Sequence, residues 1–418
     1  MSVAARANLP RRVAGVLGRP WLIWTLAAVF AGRDLFLSAV SFDRPDTGTF
    51  WSAGRLLLSR PTTLYDQSSA WLARYHLNPL PGDVTGFISP PPVAYLFAPY
   101  GLLPRSVGIE LWTVTDAILL LAGLWLLDRH LGLSGSRRAG YWLLAFYFPP
   151  LFAEVDAGQV GGLLVLLAVI SCRLYGSSPW LAGSVAGLAG SFKFYPVAML
   201  LGAGGPRRAP YWVATAGSLL GLLGLSFLPL GLERVPLYFG AVLLPTLRPS
   251  IQDCGLVSTP SLISRYVGGS SWALPSADRR TLIWEHVPWS YPLASEVITV
   301  VLPAALLVLT WWACRRSGYA SPYGLLLGFA LGALVPGTAF PYQLLALLPV
   351  TLVVLARCIE DGAAAPILWI VAGLALFIKA PCDTPVANLW TAGALVIFAV
   401  CLWQAPRFRA SGAPTSSS

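Results

Sequence analysis

Asp46 is the first candidate for chemistry in a chain that is otherwise largely apolar. It follows the first long apolar stretch and precedes FWSAGRLLL, 50–58, whose apolar and aromatic residues fall on one helical face. A carboxylate partly shielded from water at a membrane interface can act as general base for a hydroxyl nucleophile. The structural alternative is that Asp46 or Thr47 caps a helix predicted over 49–60. The sequence therefore predicts a catalytic base or a helix cap here.

Lys193 is the second candidate, because it lies in the apolar stretch 180–202 and is followed by Tyr195 and Pro196. Proline weakens a helix locally. An ammonium group deep in a membrane span calls for an anion such as a phosphate or a carboxylate. The alternatives are an internal ion pair or a side chain extended to the interface. These explanations stay open on the sequence alone.

Other polar residues lie in two segments between apolar stretches. Glu154, Asp156 and Gln159 are close together and form either a solvated loop or the lining of a cavity. Gln252 and Arg265 belong to a later polar segment. They are candidate ligands for a sugar or a phosphate, with a solvated loop as the alternative.

The elements that must position these residues are membrane helices. Hydrophobic residues make up 56% of the 418 residues and charged residues 11%. A bilayer crossing needs about 20 apolar residues. We therefore predict an all-α polytopic membrane protein with about 11–12 transmembrane helices. Apolar stretches of that length lie at about 21–40, 88–104, 107–127, 139–154, 158–176, 180–202, 211–230, 294–313, 322–338, 341–357, 365–380 and 386–404.

The positions of the arginines predict the orientation, because cytoplasmic loops carry an excess of Lys and Arg. Counting crossings from a cytoplasmic N-terminus puts most arginine pairs inside, among them Arg315 with Arg316. Arg129, Arg137 and Arg138 fall outside and are the exceptions. Both termini are expected on the cytoplasmic side of the plasma membrane.

The same count divides the chain into three parts. These are a cytoplasmic segment 1–20, a single transmembrane domain 21–404 and a disordered cytoplasmic tail 405–418. Within the domain, 41–87 and 231–293 are predicted to be outer loops, the first with interfacial helices.

Metal and nucleotide chemistry find no support in the motifs. His76, His130 and His286 show no metal-ligand spacing, and the chain has no Walker loop, GxSxG or dinucleotide fingerprint. We expect no cofactor and no metal. Of the six cysteines, only Cys254 and Cys382 both fall on the predicted outer side, so they are a candidate disulfide. The net charge of +10 sits at helix ends, which indicates membrane lipids as partners and no nucleic acid.

Taken in order, several segments resemble glycosyltransferase family 87, a family of the C-type superfamily. The likeness covers roughly residues 20–205 and fades afterwards. Ser89 stands where the family has the tyrosine of a Tyr-Pro-Pro signature, and FPYQLLALLP, 340–349, stands where many members carry a Trp and paired His. The similar segments are Asp46-x-x-x-Phe50-Trp51-x-Ala53-Gly54, Leu64-Tyr65-Asp66, FISPPPVAYLFAPYGLLP (87–104), GQVGGLLVLL (158–167) and LAGSVAGLAGSFKFYP (181–196).

The resemblance implies transfer of a sugar from a polyprenyl-phosphate donor to a glycolipid or cell-envelope glycan on the extracytoplasmic face. Mannose is the expected sugar, with arabinofuranose as the alternative. Asp46 would be the general base of an inverting reaction, and Lys193 and Arg265 would bind the donor phosphate. The expected substrate-binding residues are Tyr65, Gln159, Gln252, Tyr342 and Gln343.

Two other classes of protein remain as alternatives. A sugar or lipid transporter, or a flippase, also needs many helices and a buried charge, but it would carry several intramembrane ionisable groups and unwound helices in paired halves. A degenerate transferase or non-catalytic scaffold would explain the missing His pair.

Overall fold

The computed structural model describes residues 20–40, 44–66, 87–244, 257–267, 272–275, 282–285, 291–316, 322–336, 339–377 and 389–408. Within them nearly all regular structure is helical, which confirms the predicted all-α membrane class. Gln252 and the candidate pair Cys254 and Cys382 lie outside the described residues. The helices are α1 (Pro20–Val40), α2 (Pro45–Ser59), α3 (Pro91–Gly101), α4 (Arg105–Leu131), α5 (Gly135–Tyr147), α6 (Pro149–Ala157), α7 (Gly161–Tyr175), α8 (Pro179–Phe192), α9 (Arg208–Phe227), α10 (Arg234–Leu237), α11 (Thr259–Tyr266), α12 (Pro292–Arg316), α13 (Pro322–Leu334), α14 (Leu347–Glu360), α15 (Ala364–Ala375) and α16 (Leu389–Gln404).

Shorter elements complete the described chain. A π-helical turn covers Tyr238–Leu243, and two strands, β1 (Trp272–Pro275) and β2 (Leu282–Glu285), form an antiparallel hairpin with Trp272 opposite Glu285. The 3-10 helices are Pro61–Thr63, Tyr195–Gly202, Gly205–Arg207, Pro341–Ala346 and Ala405–Phe408.

Among the residues that the structure describes, five helical stretches are long and apolar enough to cross a bilayer. Shorter apolar helices, such as Gly161–Tyr175 and Tyr323–Leu334, pack among them. The protein is therefore a multi-pass membrane protein. The five stretches are Arg105–Leu131, Arg208–Phe227, Leu293–Arg316, Pro341–Glu360 and Leu389–Phe408.

Helices α4 and α7 lie side by side and run in the same direction, which defines two ends of the bundle. Near their first residues, Trp112 donates its indole N–H to the carbonyl oxygen of Gln159 at 2.8 Å. Near their last residues, His130 lies within electrostatic range of Arg173. Because α7 has 15 residues and each rises about 1.5 Å, the two ends are roughly 22 Å apart. We call them the Asp46 end and the arginine end.

The arginines that the crossing count had put outside lie at the arginine end. Arg138 pairs with Asp128 at 2.7 Å near the end of α4. Arg137 pairs with Glu360 at 3.3 Å, and Arg357 pairs with the same carboxylate at 3.2 Å. The prediction that separated Arg137 and Arg138 from Arg357 is therefore wrong.

Helix α3 explains part of that error. It has 11 residues, about 16 Å at 1.5 Å per residue, which is too short to cross. The hydroxyl of Tyr95 donates to the carbonyl oxygen of Ser226 at 3.0 Å, at the last turn of α9. Helix α4 begins four residues after α3 ends, at the Asp46 end. The predicted span 88–104 therefore does not cross the bundle.

The prediction of one span over 180–202 is wrong in the opposite sense. The chain reverses inside this stretch, so it holds two segments instead of one. Helix α8 ends at Phe192, and the 3-10 helix Tyr195–Gly202 returns alongside α13. A Cβ on Gly202 would lie 2.1 Å from the carbonyl oxygen of Gly324, and one on Gly332 would lie 2.1 Å from that of Tyr195. Glycines thus let two backbones run antiparallel in direct contact, and one predicted span is two segments.

Candidate active site

Asp46 lies in the first turn of α2, which begins at Pro45 after Arg44. Its carboxylate accepts a hydrogen bond from Nε2 of Gln159. The hydroxyl of Thr47 donates to the carbonyl oxygen of Gly158 at 2.7 Å. Neither side chain caps the helix, and the N-cap position has no side-chain hydrogen bond. The helix-cap alternative for Asp46 and Thr47 is therefore wrong.

The two adjacent contacts fix the start of α2 on the turn between α6 and α7. Gly158 ends α6 with φ of 67°, in the left-handed region that favours glycine. A Cβ at this position would lie 1.7 Å from Oγ1 of Thr47. Glycine is thus required both for the turn and for the close approach of Thr47, which brings Asp46 to Gln159.

Gly158→Ala is expected to destabilise the fold by about 2 kcal/mol or more, through left-handed strain and overpacking against Thr47. Gly362→Ala is the matched control. Gly362 has φ of 63°, and a Cβ there meets nothing within 4 Å. The control is expected to cost only about 1 kcal/mol, from strain alone. Thermal unfolding in detergent measures both, and equal losses would contradict a role for the Thr47 contact.

Lys193 directly follows the last residue of α8 and lies at the Asp46 end, not in the middle of a span as predicted. The helix stops there because Tyr195 and Pro196 begin the 3-10 return. The ammonium group lies 5.9 Å from the ring centroid of Phe50 and 6.0 Å from that of Tyr342. Its charge interacts with the carboxylates of Asp46 and Glu154. Lys193 therefore has internal acidic partners.

Tyr342 brings a fourth segment of the chain to the site. Its side chain forms a hydrogen bond with the Asp46 carboxylate. The neighbouring Gln343 instead accepts the backbone N–H of Phe340 at 3.1 Å through its side-chain oxygen, which stabilises the start of the 3-10 helix Pro341–Ala346. Both residues are predicted from the sequence to bind substrate. In the structure Tyr342 contacts Asp46, whereas Gln343 contacts the backbone of its own helix start.

Tyr65 and Arg265 are two further residues of the predicted site. Tyr65 is buried, stacks on Phe87 at 5.7 Å and donates its hydroxyl to the carbonyl oxygen of Ser89 at 3.0 Å. It joins the residues after the 3-10 helix Pro61–Thr63 to the residues before α3. Arg265 lies on α11, whose backbone is described there while the arginine side chain is not.

Glu154 and Asp116 hold the start of α7, and Asp116 was not singled out in the sequence. Glu154 accepts the backbone N–H of Gly161. Asp116 accepts the N–H of Gly162 at 3.1 Å and of Leu163 at 3.0 Å. These N–H groups have no partner inside the helix, and carboxylates there are also favoured by the helix dipole. The signal for Asp116 is an acidic residue in the middle of the apolar residues of α4.

Burial is the main electrostatic influence on Asp46, which lies on α2 outside the candidate spans. It raises the pKa of the carboxyl group above its ordinary value of 3.8. The hydrogen bond from Gln159, the charge of Lys193 and the hydrogen bond with Tyr342 oppose that rise. A carboxylate with a raised pKa and a hydrogen-bonded orientation suits general base catalysis.

Gln159 has one polar atom still available. Its side chain is 4% exposed, and Oε1 has no hydrogen-bond partner among the described residues. Oε1 belongs to the same amide as the Nε2 that donates to Asp46. An unpaired buried acceptor costs free energy unless a ligand or water donates to it. Oε1 is therefore a free acceptor beside the Asp46 carboxylate.

In the part of the chain that the structure describes, no three His, Cys, Asp or Glu side chains are grouped so that they could hold a metal ion.

Comparisons with known proteins agree with the motifs. The chain is 32% identical over 178 residues to the polyprenol-phosphate-mannose-dependent alpha-(1-2)-phosphatidylinositol pentamannoside mannosyltransferase of Mycolicibacterium smegmatis, covering 42% of this chain and 41% of that protein. It is 28% identical over 192 residues to the protein of the same description from Mycobacterium tuberculosis, covering 43% and 41%. The match thus spans about two-fifths of each relative.

The family model for glycosyltransferase family 87 matches residues 87–335, which is more than half of the chain. Gln159 and Lys193 lie within the matched residues, and Asp46 precedes them. The chain belongs to glycosyltransferase family 87.

Proposed function

We propose that this protein transfers a mannosyl group from a polyprenyl-phosphate donor to a hydroxyl of a glycolipid or cell-envelope glycan. The observation that carries the proposal is the Asp46 carboxylate, held by Gln159 and Tyr342 and facing the Lys193 ammonium group at one end of a helical bundle. The relatives described above are mannosyltransferases that depend on polyprenol-phosphate-mannose, which supports mannose over arabinofuranose.

Asp46 removes the proton from the acceptor hydroxyl in this mechanism. The hydroxyl oxygen attacks the anomeric carbon, the bond from that carbon to the phosphate oxygen breaks, and the electron pair leaves with the phosphate. The configuration at the anomeric carbon inverts. Lys193 balances the charge that develops on the leaving phosphate, where a fixed cation stabilises the transition state most.

The unpaired Oε1 of Gln159 supports this placement of the acceptor. The Nε2 of Gln159 donates to the Asp46 carboxylate, and its Oε1 is unpaired. Since both atoms belong to one amide group, an acceptor hydroxyl that donates to Oε1 would lie close to the Asp46 carboxylate. Gln159 would thus position the acceptor and orient Asp46 together. Arg265 and Gln252 remain predicted contacts to the phosphate and sugar, and Tyr65 acts through the shape of the outer segment.

The proposed orientation follows from the charges at the two ends. Arg137, Arg208, Arg315 and Arg357 lie at the arginine end, which the positive-inside rule assigns to the cytoplasm. The Asp46 end then faces outward from the plasma membrane. The N-terminal segment and the chain beyond Phe408 start from the cytoplasmic end, and residues 21–404 form one transmembrane domain.

The distribution of charges also weighs against a transporter. Asp46, Lys193, Glu154 and Asp116 all lie at one end of the bundle. Secondary transporters instead place their substrate and ion sites near the bilayer midplane, between paired repeats. The grouping at one end suits chemistry on one membrane face.

The proposal is tested with purified protein in lipid nanodiscs. Polyprenyl-phosphate mannose, glucose and arabinofuranose are each offered with a phosphatidylinositol mannoside acceptor, and product is followed by mass spectrometry. Mannosyl product is expected from the first donor only. Transfer from the arabinofuranosyl donor alone would establish the alternative sugar. Movement of intact donor between leaflets without any product would establish a flippase.

The pH profile gives an independent prediction. Asp46 must be ionised to act as base, so kcat/KM is expected to fall tenfold per pH unit below the pKa of that carboxyl group. Burial raises this pKa, so the loss should begin at a higher pH than for an ordinary aspartate. Initial rates between about pH 4 and pH 8 measure the profile. A flat profile across that range would contradict a titrating base.

A further inference from the structure

Arg208 and Arg315, at the arginine end, are each stacked on a tryptophan of their own helix. The guanidinium carbon of Arg208, at the start of α9, lies 4.3 Å from the ring centroid of Trp212. That of Arg315, near the end of α12, lies 3.9 Å from the ring centroid of Trp311. Stacking holds a guanidinium plane in place and leaves its N–H groups free for an anion.

A cleft of about 510 Å³ separates the two stacks. The range 201–205 closes it on one side and Cys314 contributes to its wall. None of the described residues that line it is acidic, and neither Arg208 nor Arg315 is in an ion pair with any Asp or Glu in the described ranges. The cleft therefore presents two positive charges that no described carboxylate neutralises.

The surroundings of the cleft are those of a lipid-facing surface. Helices α9 and α12 are both candidate membrane spans. Trp212 and Trp311 are 37% and 38% exposed, and Leu220 and Val308 are exposed further along the same helices. Tryptophan at a span end marks the level of the lipid headgroups. A lipid with its headgroup in the cleft would thus have its acyl chains beside apolar side chains.

The cleft is distant from the Asp46 cluster. The hydroxyl of Tyr175, the last residue of α7, donates to the carbonyl oxygen of Gly204 in the cleft wall at 2.7 Å. The first residue of α7 contacts Glu154 in the Asp46 cluster. The length of α7, roughly 22 Å, separates the two places. A ligand of the cleft is therefore not the reacting sugar phosphate.

We propose that this cleft binds the phosphate headgroup of an anionic phospholipid in the leaflet at the arginine end. Arg208 and Arg315 bind the phosphate oxygens from two sides, since guanidinium groups form paired hydrogen bonds with phosphate. The volume is sufficient for a phosphate and a small polar head. The exposed apolar residues favour a lipid over free phosphate, because they leave room for acyl chains at the membrane surface.

The full-length protein in detergent tests the proposal by lipid titration with native mass spectrometry. Phosphatidylglycerol is expected to bind at least about tenfold more tightly than phosphatidylcholine. The double variant Arg208→Gln with Arg315→Gln is expected to lose that preference. The matched control is Arg129→Gln with Arg316→Gln, because both arginines stack on tryptophans at the same end, Trp125 and Trp312, and neither lines the cleft. The control is expected to keep the preference.

Three results would overturn the proposal. The first is equal affinity for phosphatidylglycerol and phosphatidylcholine, and the second is a control variant that loses the preference as fully as the double variant. The third is that inorganic phosphate protects the protein from thermal unfolding as much as phosphatidylglycerol does at the same concentration. The last would establish a free-anion site. If the double glutamine variant does not fold, Arg208→Lys with Arg315→Lys keeps the charge and removes the planar donors. It is expected to lose severalfold affinity for phosphatidylglycerol, and unchanged affinity would overturn the proposed geometry.

Discussion

Asp46→Asn is expected to lower kcat for sugar transfer by about 10²- to 10⁴-fold, the range that a positioned general base contributes. Asparagine has the same shape and can still accept the hydrogen bond from Gln159, but it cannot take the proton of the acceptor hydroxyl. Steady-state rates with a polyprenyl-phosphate mannose donor measure the loss. Binding of the donor should change little, because the proposed role of Asp46 concerns the acceptor.

The same substitution should leave the fold intact or stabilise it. Burial raises the pKa of Asp46, so the folded state binds the proton more tightly than the unfolded state does. Stability then decreases as pH rises from the unfolded pKa through the folded one, and the ionised form carries a cost at neutral pH. A neutral asparagine removes that cost. An inactive but stable variant would separate catalysis from folding.

Asp361→Asn is the control for Asp46→Asn, because it makes the same change at a remote carboxylate. Asp361 forms a surface ion pair with Arg357 at 3.3 Å at the arginine end. Exposed pairs contribute little to stability, and this one is remote from the site. Near-normal transfer by Asp46→Asn would remove Asp46 from the mechanism.

Lys193→Met is the second large effect expected, a loss of about 10²- to 10³-fold in both kcat and kcat/KM. An equal loss in both constants indicates an interaction made in the transition state. Lys193 also interacts with the charge of Asp46, so its removal should raise the pKa of that carboxyl group further. The pH profile of the variant distinguishes the two roles.

If Lys193 acts on the leaving phosphate, the deficit should persist at high pH, where Asp46 is fully ionised. If it only keeps Asp46 ionised, activity should return to normal as pH rises. Lys193→Arg retains the charge and should retain most of the activity. Full recovery of Lys193→Met at high pH would contradict the phosphate role.

Sequence patterns predict four polar residues that the structure brings together in the candidate site, although not their partners. The four residues are Asp46, Gln159, Lys193 and Tyr342, and they come from separate segments of the chain. Each is recognisable in the sequence as a polar group beside apolar residues or within a motif. Their convergence depends on how helices pack, which a single sequence does not encode in any local pattern. Asp116 was missed for the same reason, since its two backbone partners lie more than 40 residues further on.

The class of fold could be predicted and the path of the chain only in part. An apolar run buried among other helices has the same composition as one facing lipid, and α3, with Val93, Ala94 and Phe97 fully buried, is of the first kind. Counting α3 as a crossing added one crossing to the count. Missing the return of the chain over Tyr195–Gly202 removed one crossing. The two errors cancelled for later helices and misplaced the residues between them, Gln159 as well as the arginines.

The contact between Asp46 and Gln159 joins residues 113 positions apart, which has a consequence for biogenesis. At a synthesis rate of about 5–20 residues per second, Gln159 follows Asp46 by roughly 6 to 23 s. Tyr342 emerges later still, after α13 has been made. The nascent chain therefore carries the Asp46 carboxylate through membrane insertion with no partner from the later segments, and the cluster around Asp46 is complete only near the end of translation.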